Sequence, residues 1–230
     1  MEAFVVDLDS SKNQIMLKPI ARSFNNQAHQ INEVAEKIHE LIKNAPYFND
    51  NIVLNHNKIK EAFFSPFKPQ LKTAQVFLSH SHADKNKALK VKGYLEEYRD
   101  AECVFIDSLF WDYKDDVLSK LAKYDDISKI EDAFTLILRE SLEDMIKKCP
   151  YFVFLQSSNS VSNQWLSRNQ DLLKITYSAW IYEELKIAHS ISESRPIPMM
   201  ESMQVFHDIS PFLESFETIR LSELSRIINS

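Results

Sequence analysis

Two short segments contain side chains whose chemistry suits ligand binding or catalysis. The first, Ser79 to Lys85, reads SHSHADK, so hydroxyl, imidazole, carboxylate and ammonium groups follow one another closely. The second, Ser178 to Leu185, reads SAWIYEEL and places Trp180 and Glu184 four residues apart, on one face of a helix. A glutamate on a helix is usually solvated surface, so this spacing does not by itself identify a catalytic carboxylate.

The SHSHADK segment has more than one interpretation. His80, His82 and Asp84 alternate as zinc ligands do in the HxHxD motif of metallo-β-lactamase-type hydrolases, which they resemble. In that motif a histidine follows the aspartate, whereas this chain has Lys85, and no later HxxxH cluster occurs in the sequence. We therefore expect no metal site. The alternative from the residues alone is a polar loop in which Asp84 caps the following helix.

Apolar runs alternate with helical patterns after residue 73. Runs typical of buried strands occur at 74–79, 102–107, 151–156, 195–200 and 216–221. Patterns typical of helices lie among them, at 84–98, 136–148 and 177–192. This alternation predicts an α/β fold with a flavodoxin-like, five-stranded parallel sheet and helices on both faces. Ligands of such sheets bind at the carboxyl ends of the strands, which singles out the loops after Ser79, Asp107 and Gln156.

Residues 1–72 differ in pattern and are interpreted as a small, mainly helical N-terminal extension to a main domain at 73–230. Ala3 to Val6 is a candidate strand, and apolar periodicity predicts helices at 27–44 and from about Asn55 to Phe64. The two prolines in SPFKPQ, Ser65 to Gln70, predict a linker. The apolar stripe of the 27–44 helix either packs on the main domain or forms a face for self-association or a partner.

Composition excludes several classes of protein. The chain has 230 residues, with 27 Lys and Arg against 33 Asp and Glu, and a net charge of −6 argues against a nucleic-acid or anionic-membrane binder. Gly93 is the only glycine, which excludes the glycine-rich nucleotide motifs. The sequence has no eighteen-residue apolar run and no basic start typical of a secretory signal. We expect a cytoplasmic protein with Cys103 and Cys149 as buried free thiols.

Four motifs together resemble the Toll/interleukin-1 receptor (TIR) domain. VFLSHSHADK is similar to its opening strand and loop, which in bacterial members read like FISHASEDK. CVFIDSLFWDY resembles the second strand and the BB loop, YFVFLQSSNS the third strand, and SAWIYEEL fits the pattern S-x-W-x-x-x-E-L. The motifs occur in the expected order and cover about residues 74 to 222. The long connections after Asp107 and Gln156 resemble those of bacterial TIR proteins associated with antiphage defence, including the Thoeris type.

The resemblance implies an NAD+ glycohydrolase or cyclase. Such an enzyme cleaves the nicotinamide–ribose bond and yields ADP-ribose, or a cyclic or conjugated ADP-ribose signal, with Glu184 as the catalytic carboxylate. The substrate-binding side chains it implies are those of Ser79, His80, Lys85, Asp107, Phe110, Trp111 and Trp180. NAD+ is then the substrate and no cofactor is expected. The other partners would be further copies of the chain, through TIR–TIR contacts, and a separate effector that senses the product.

A non-catalytic module is the alternative to an enzyme. The chain departs from the family pattern because the BB loop lacks its usual glycine and has Lys114 in that region. Together with the amphipathic 27–44 helix, this departure suits a TIR-like domain that self-associates or docks onto a partner without turning over NAD+.

Overall fold

The computed structural model describes residues 1–17, 28–45, 47–48, 51–52, 55–97, 103–124, 126, 131–164, 173–192 and 207–229. Contacts group the chain into two compact units. The sheet unit comprises Met1–Arg22, Thr73–Ser108 and Met145–Ser230, and the helical unit comprises Ser23–Lys72 and Leu109–Asp144. The predicted domains 1–72 and 73–230 stay a prediction. One border between the units falls after Lys72, whereas the first 22 residues group with the sheet.

Five strands form the central sheet of the sheet unit. They are β1 (Glu2–Asp7), β4 (Val76–His80), β5 (Val104–Ile106), β6 (Tyr151–Gln156) and β10 (Glu217–Thr218). Their spatial order is β10-β1-β6-β4-β5, and every pairing is parallel. All side chains of β4 and β5 are buried, as expected of strands that are covered on both faces. The prediction of a five-stranded parallel sheet flanked by helices is confirmed.

The N-terminal strand occupies an unexpected place in this sheet. A flavodoxin-like sheet orders its strands 2-1-3-4-5 along the chain. From the β5 edge, the order here is β5-β4-β6-β1-β10. The N-terminal strand β1 therefore lies between β6 and β10, in the place that the fourth strand of a flavodoxin-like sheet takes. A strand was predicted at Ala3 to Val6, but as part of the N-terminal extension and not of the central sheet. The predicted strand at 195–200 lies outside the described residues.

Helices cover the sheet and position its loops. α5 (Lys85–Leu95) packs against β4 and β5, and α8 (Ala179–Ser192) packs against β1 and β4. A 3-10 turn at His82–Asp84 leads into α5. The remaining elements of this unit are α1 (Ser11–Gln14), β7 (Ser162–Gln164), β8 (Leu173–Thr176), β9 (His207–Asp208), α9 (Ser210–Ser215) and α10 (Leu221–Ile228). Of these, β7, β8 and β9 form a small antiparallel sheet.

The helical unit contains α2 (Ala28–Lys43) and α3 (His56–Phe64), which pack against each other. Both confirm the periodicity prediction, and Val34, Ala35 and Ile38 on the apolar stripe of α2 are buried. The hairpin β2 (Tyr47–Phe48) and β3 (Asn51–Ile52) lies between them in sequence. α6 (Asp107–Leu121) and α7 (Glu131–Lys148) contribute most of their residues to this unit.

Two loop predictions are wrong. The expected linker at 65–70 is helical: a 3-10 turn at Ser65–Phe67 continues into α4 (Lys68–Thr73). Its two prolines lie in the first turns of these elements, where a missing N–H leaves no hydrogen bond unmade. The expected BB loop is α6, so Phe110 and Trp111 lie on a helix. No helix in the described part of the chain has the length and apolar character needed to cross a bilayer.

Candidate functional site

Buried polar residues collect where the parallel strands end. His80 is the last residue of β4, Asp107 directly follows β5, and Ser157 directly follows β6. We call this side of the sheet the carboxyl edge. Helix α8, which packs against β4, brings Glu184 to the same edge. The rule that ligands of parallel sheets bind beyond the carboxyl ends of the strands makes this edge the candidate site.

The Ser79–Glu184 pair joins the end of β4 to the middle of α8. The Ser79 hydroxyl donates a hydrogen bond of 2.5 Å to Oε2 of Glu184, and both residues are 0% exposed. The lone glutamate that the sequence singled out therefore lies beside the turn that ends the first predicted strand of the main domain.

Local sequence explains why Glu184 points inward. The Ser178 hydroxyl accepts a hydrogen bond of 3.3 Å from the Ile181 backbone N–H, which caps the start of α8. Glu184 then falls on the same helix face as the buried Ile181 and Leu185. The neighbouring Glu183 faces elsewhere: its carboxylate is partly exposed and lies 3.8 Å from the Lys186 ammonium. Two adjacent glutamates thus have different surroundings.

The His80–Asp107 pair is the second buried contact at this edge. Nδ1 of His80 lies 2.5 Å from Oδ1 of Asp107, and their side chains are 0% and 5% exposed. Burial, the largest single effect, lowers the pKa of His80, whereas the charge and the hydrogen bond of the Asp107 carboxylate raise it, and the net pKa lies above its ordinary value. Asp84 adds to this rise, while the ammonium of Lys85 opposes it. Nε2 of His80 is buried and has no hydrogen-bond partner among the described residues.

The two pairs approach the end of β4 from different sides. Successive side chains of a strand point to opposite faces of its sheet. Ser79 points towards α8 and Glu184, and His80 therefore points to the other face, where it meets Asp107. The two buried pairs therefore lie on opposite faces of the sheet at this strand end, an arrangement that the sequence did not indicate.

A third polar group was missed by the sequence analysis. Asp84 is the residue before α5, but its carboxylate does not cap that helix. It accepts hydrogen bonds from the Ser157 hydroxyl and, at 3.0 Å, from the amide of Asn159, and it lies 3.2 Å from the ammonium of Lys87. The loop after Gln156 was singled out by the strand-end rule, which is the one signal that pointed to this group. These contacts fix the loop after β6 to the start of α5.

The remaining predicted site residues are Lys85, Trp180, Phe110 and Trp111. Lys85 is half-buried and acts on His80 through its charge, and Trp180 is half-buried one turn before Glu184 on α8. The side chains of Phe110 and Trp111 lie outside the part of the chain described in side-chain detail. No group of His, Cys, Asp or Glu among the described residues could hold a metal ion. Cys103 and Cys149 are free and buried, as predicted.

No protein-family model matches the chain, and neither a curated protein nor a solved structure matches it. The class that fold and site define is therefore an α/β protein with a parallel sheet and a buried polar site at its carboxyl edge. In chemical terms this site offers one carboxylate held by a hydroxyl and one imidazole held by a second carboxylate. Such groups can stabilise a developing positive charge and accept a proton.

Proposed function

We propose that the protein is a TIR-like enzyme that cleaves the nicotinamide–ribose bond of NAD+, with Glu184 as its catalytic carboxylate. The observation that supports this most is the Ser79–Glu184 hydrogen bond, which holds a single buried carboxylate at the carboxyl edge of a parallel sheet. The choice of NAD+ as substrate rests on the four TIR-like sequence motifs. The buried pair gives a chemical role to two residues of those motifs, Ser79 and Glu184.

One carboxylate is sufficient for this reaction. Nicotinamide leaves as a neutral molecule from a cationic glycoside, so the leaving group needs no general acid. Positive charge then develops on the ribose in an oxocarbenium-like transition state. A fixed negative charge beside the ribose stabilises that state more than the ground state, which is the condition for catalysis. The bond from Ser79 fixes one oxygen of Glu184 and so helps to orient the carboxylate.

Access to the site is part of the proposal. Glu184 has no exposed surface, so NAD+ reaches the carboxylate only after the side chains that cover it have moved. We propose that association between copies of the chain brings about this opening. The product would be ADP-ribose, or a cyclic or conjugated ADP-ribose that signals to a separate effector in bacterial antiphage defence.

The experiment is a measurement of nicotinamide release from NAD+ by the full chain, both free in solution and at high density on beads. Two variants differ at adjacent positions of α8: Glu184→Gln removes the buried carboxylate, and Glu183→Gln removes the partly exposed one. We expect release from the clustered wild type and from Glu183→Gln, and a loss of about 10²- to 10³-fold in Glu184→Gln. Equal activity of all three proteins would exclude Glu184 as the catalytic residue. Absence of nicotinamide release from the clustered wild type would exclude the proposed enzyme activity.

A non-catalytic, self-associating module is the second candidate. The complete burial of Glu184 favours it, because a carboxylate bonded to a strand-end serine also serves as an internal tie between helix and sheet. This candidate predicts concentration-dependent assembly of the chain without nicotinamide release. Sedimentation of the same protein used in the release assay would show that combination.

A further inference from the structure

We propose that His80, held by Asp107, is the catalytic base that accepts the proton of the hydroxyl group attacking ribose C1′. This inference rests on the proposed function and adds a second catalytic residue to it. Glu184 would stabilise the charge on the ribose, and His80 would activate the acceptor. Asp107 would be a positioning residue, because it acts through the imidazole.

The geometry leaves one nitrogen of His80 for this role. Nδ1 faces Oδ1 of Asp107 at 2.5 Å, so this nitrogen is the one that Asp107 engages. Nε2 is then the nitrogen that remains for another group, and it has no hydrogen-bond partner among the described residues. A buried polar atom without a partner is unfavourable in a fold, so it calls for an explanation, of which a catalytic role is one.

The position of His80 also suits the acceptor. His80 is the last residue of β4, at the edge where the Ser79–Glu184 pair lies, and its side chain points to the opposite face of the strand. The two groups therefore act from different sides of one strand end. The proposal therefore places C1′ beyond the end of β4, with Glu184 on one side of it and the attacking hydroxyl between C1′ and His80 on the other.

The proposed step balances in atoms and charge. The bond between C1′ and the nicotinamide nitrogen breaks, and its electron pair goes to the nicotinamide, which leaves neutral. The oxygen of water, or of another hydroxyl for a cyclic or conjugated product, forms the new bond to C1′. The proton of that hydroxyl passes to Nε2 of neutral His80, and the Asp107 carboxylate stabilises the imidazolium that results.

The charged groups around His80 set the pH dependence of this step. Burial and the charge of Lys85 lower the pKa of His80, whereas Asp107 and Asp84 raise it, with a net rise above the ordinary value of 6.5. Only the neutral ring can accept a proton. Transfer to the acceptor should therefore increase with pH through the raised pKa of His80 and level off above it.

The test compares two fates of the same enzyme-bound ribose. Capture by water gives hydrolysis, whereas capture by isotopically labelled nicotinamide regenerates labelled NAD+ and needs no base. We expect His80→Gln to lower hydrolysis by about 10²-fold or more while labelled exchange is retained. His82→Gln, at the exposed histidine two residues later, should leave both rates unchanged. Glu184→Gln should remove both hydrolysis and exchange.

The outcomes separate this inference from the proposed function. Absence of both hydrolysis and exchange in the clustered wild type would overturn the function and the inference with it. Equal losses of hydrolysis and exchange in His80→Gln, or no loss, would overturn the inference alone. The wild type gives a test without any substitution, since its ratio of hydrolysis to exchange must increase with pH. In Asp107→Asn the same increase should occur at lower pH, because the carboxylate that raises the pKa of His80 is removed. A wild-type ratio that is independent of pH would contradict a catalytic base.

Discussion

The sheet unit and the helical unit differ in the polar groups that they bury. The buried polar or charged residues of the sheet unit are Asn13, Ser79, His80, Asp84, Lys92, Glu96, Asp107, Ser157, Ser160, Thr176 and Glu184. Among the described residues of the helical unit, Ser141 is the corresponding one, and its hydroxyl donates to the Ile137 carbonyl within α7. Burying polar groups without partners is unfavourable, so their concentration in one unit calls for an explanation by structure or by function.

The helical unit is stabilised by a cluster of packed rings. Phe67 contacts Tyr113 edge to face with ring centroids 4.8 Å apart, and Phe63 contacts Tyr113 at 5.3 Å and Phe134 at 6.3 Å. Edge-to-face pairs of this kind contribute about 0.5–1.5 kcal/mol beyond the area they bury. For these four rings, packing within the core is a sufficient role.

Burial of charge alone does not identify a site, as the sheet unit itself demonstrates. The Lys92 ammonium lies 2.8 Å from Glu96, whose carboxylate also accepts from the backbone N–H groups of Cys103 and Val104. These contacts lie at the amino end of β5, and they tie α5 to the start of that strand. The pairs at the carboxyl edge differ because they lie where ligands of parallel sheets bind and because Nε2 of His80 has no partner among the described residues.

The largest expected effect on stability is in the aromatic cluster. Phe67→Ala removes a fully buried ring and should lower the free energy of unfolding by about 3–5 kcal/mol, measured by urea denaturation. Phe67→Leu, which keeps most of the volume, should lower it by less. Similar stability of both variants and the wild type would contradict a tightly packed cluster.

A smaller loss is expected at the carboxyl edge. Ser79→Ala removes the hydroxyl that donates to buried Glu184 and should lower the free energy of unfolding by about 1–3 kcal/mol. Ser81→Ala, two residues later, is the control, because its hydroxyl makes no capping bond and the change should stay within about 0.5 kcal/mol. A larger effect at Ser81 than at Ser79 would count against the Ser79–Glu184 bond.

Stability should also depend on pH through the His80–Asp107 pair. The folded chain raises the pKa of His80, so this contribution is complete below the ordinary pKa of 6.5 and is lost as pH rises through the raised value. The difference in unfolding free energy between wild type and Asp107→Asn should therefore decrease from about pH 6 upward. A difference that increases with pH would have the wrong sign.

The smallest effect is expected at Tyr113. Its side chain is buried, and its hydroxyl has no hydrogen-bond partner among the described residues. Burial raises the pKa of this phenol, so the group stays neutral. Tyr113→Phe should leave the unfolding free energy unchanged or raise it by up to about 1 kcal/mol, since only an unpaired polar atom is removed. A loss of more than about 1 kcal/mol would reveal a partner for the hydroxyl.

The sequence predicted the central strands well and their partners poorly. The mainly apolar run at 74–79 overlaps β4 and the one at 151–156 coincides with β6, because short, mainly apolar runs suit strands covered on both faces. The same pattern carries no information about which strands are neighbours. The pairing of β1 with β6, through six registered residues, therefore could not be predicted from Ala3 to Val6 alone.

The sequence suggested residues of the candidate site and not their contacts. Glu184 was singled out because SAWIYEEL fits the TIR pattern, and Ser79 by its place at a strand end. Their hydrogen bond joins residues 105 positions apart and depends on how α8 packs against β4. Asp84 was expected to cap α5, but the hydroxyl of Ser157 and the amide of Asn159 occupy its carboxylate. Local patterns cannot anticipate such competition between distant partners.

A crystal structure of Glu184→Gln with NAD+ would test the central claim most directly, because this substitution keeps the size of the side chain and prevents turnover. The account predicts that the dinucleotide lies across the end of β4, with the ribose next to nicotinamide within hydrogen-bond distance of residue 184. NAD+ bound away from the carboxyl edge, with residue 184 still covered and bonded to Ser79, would contradict it.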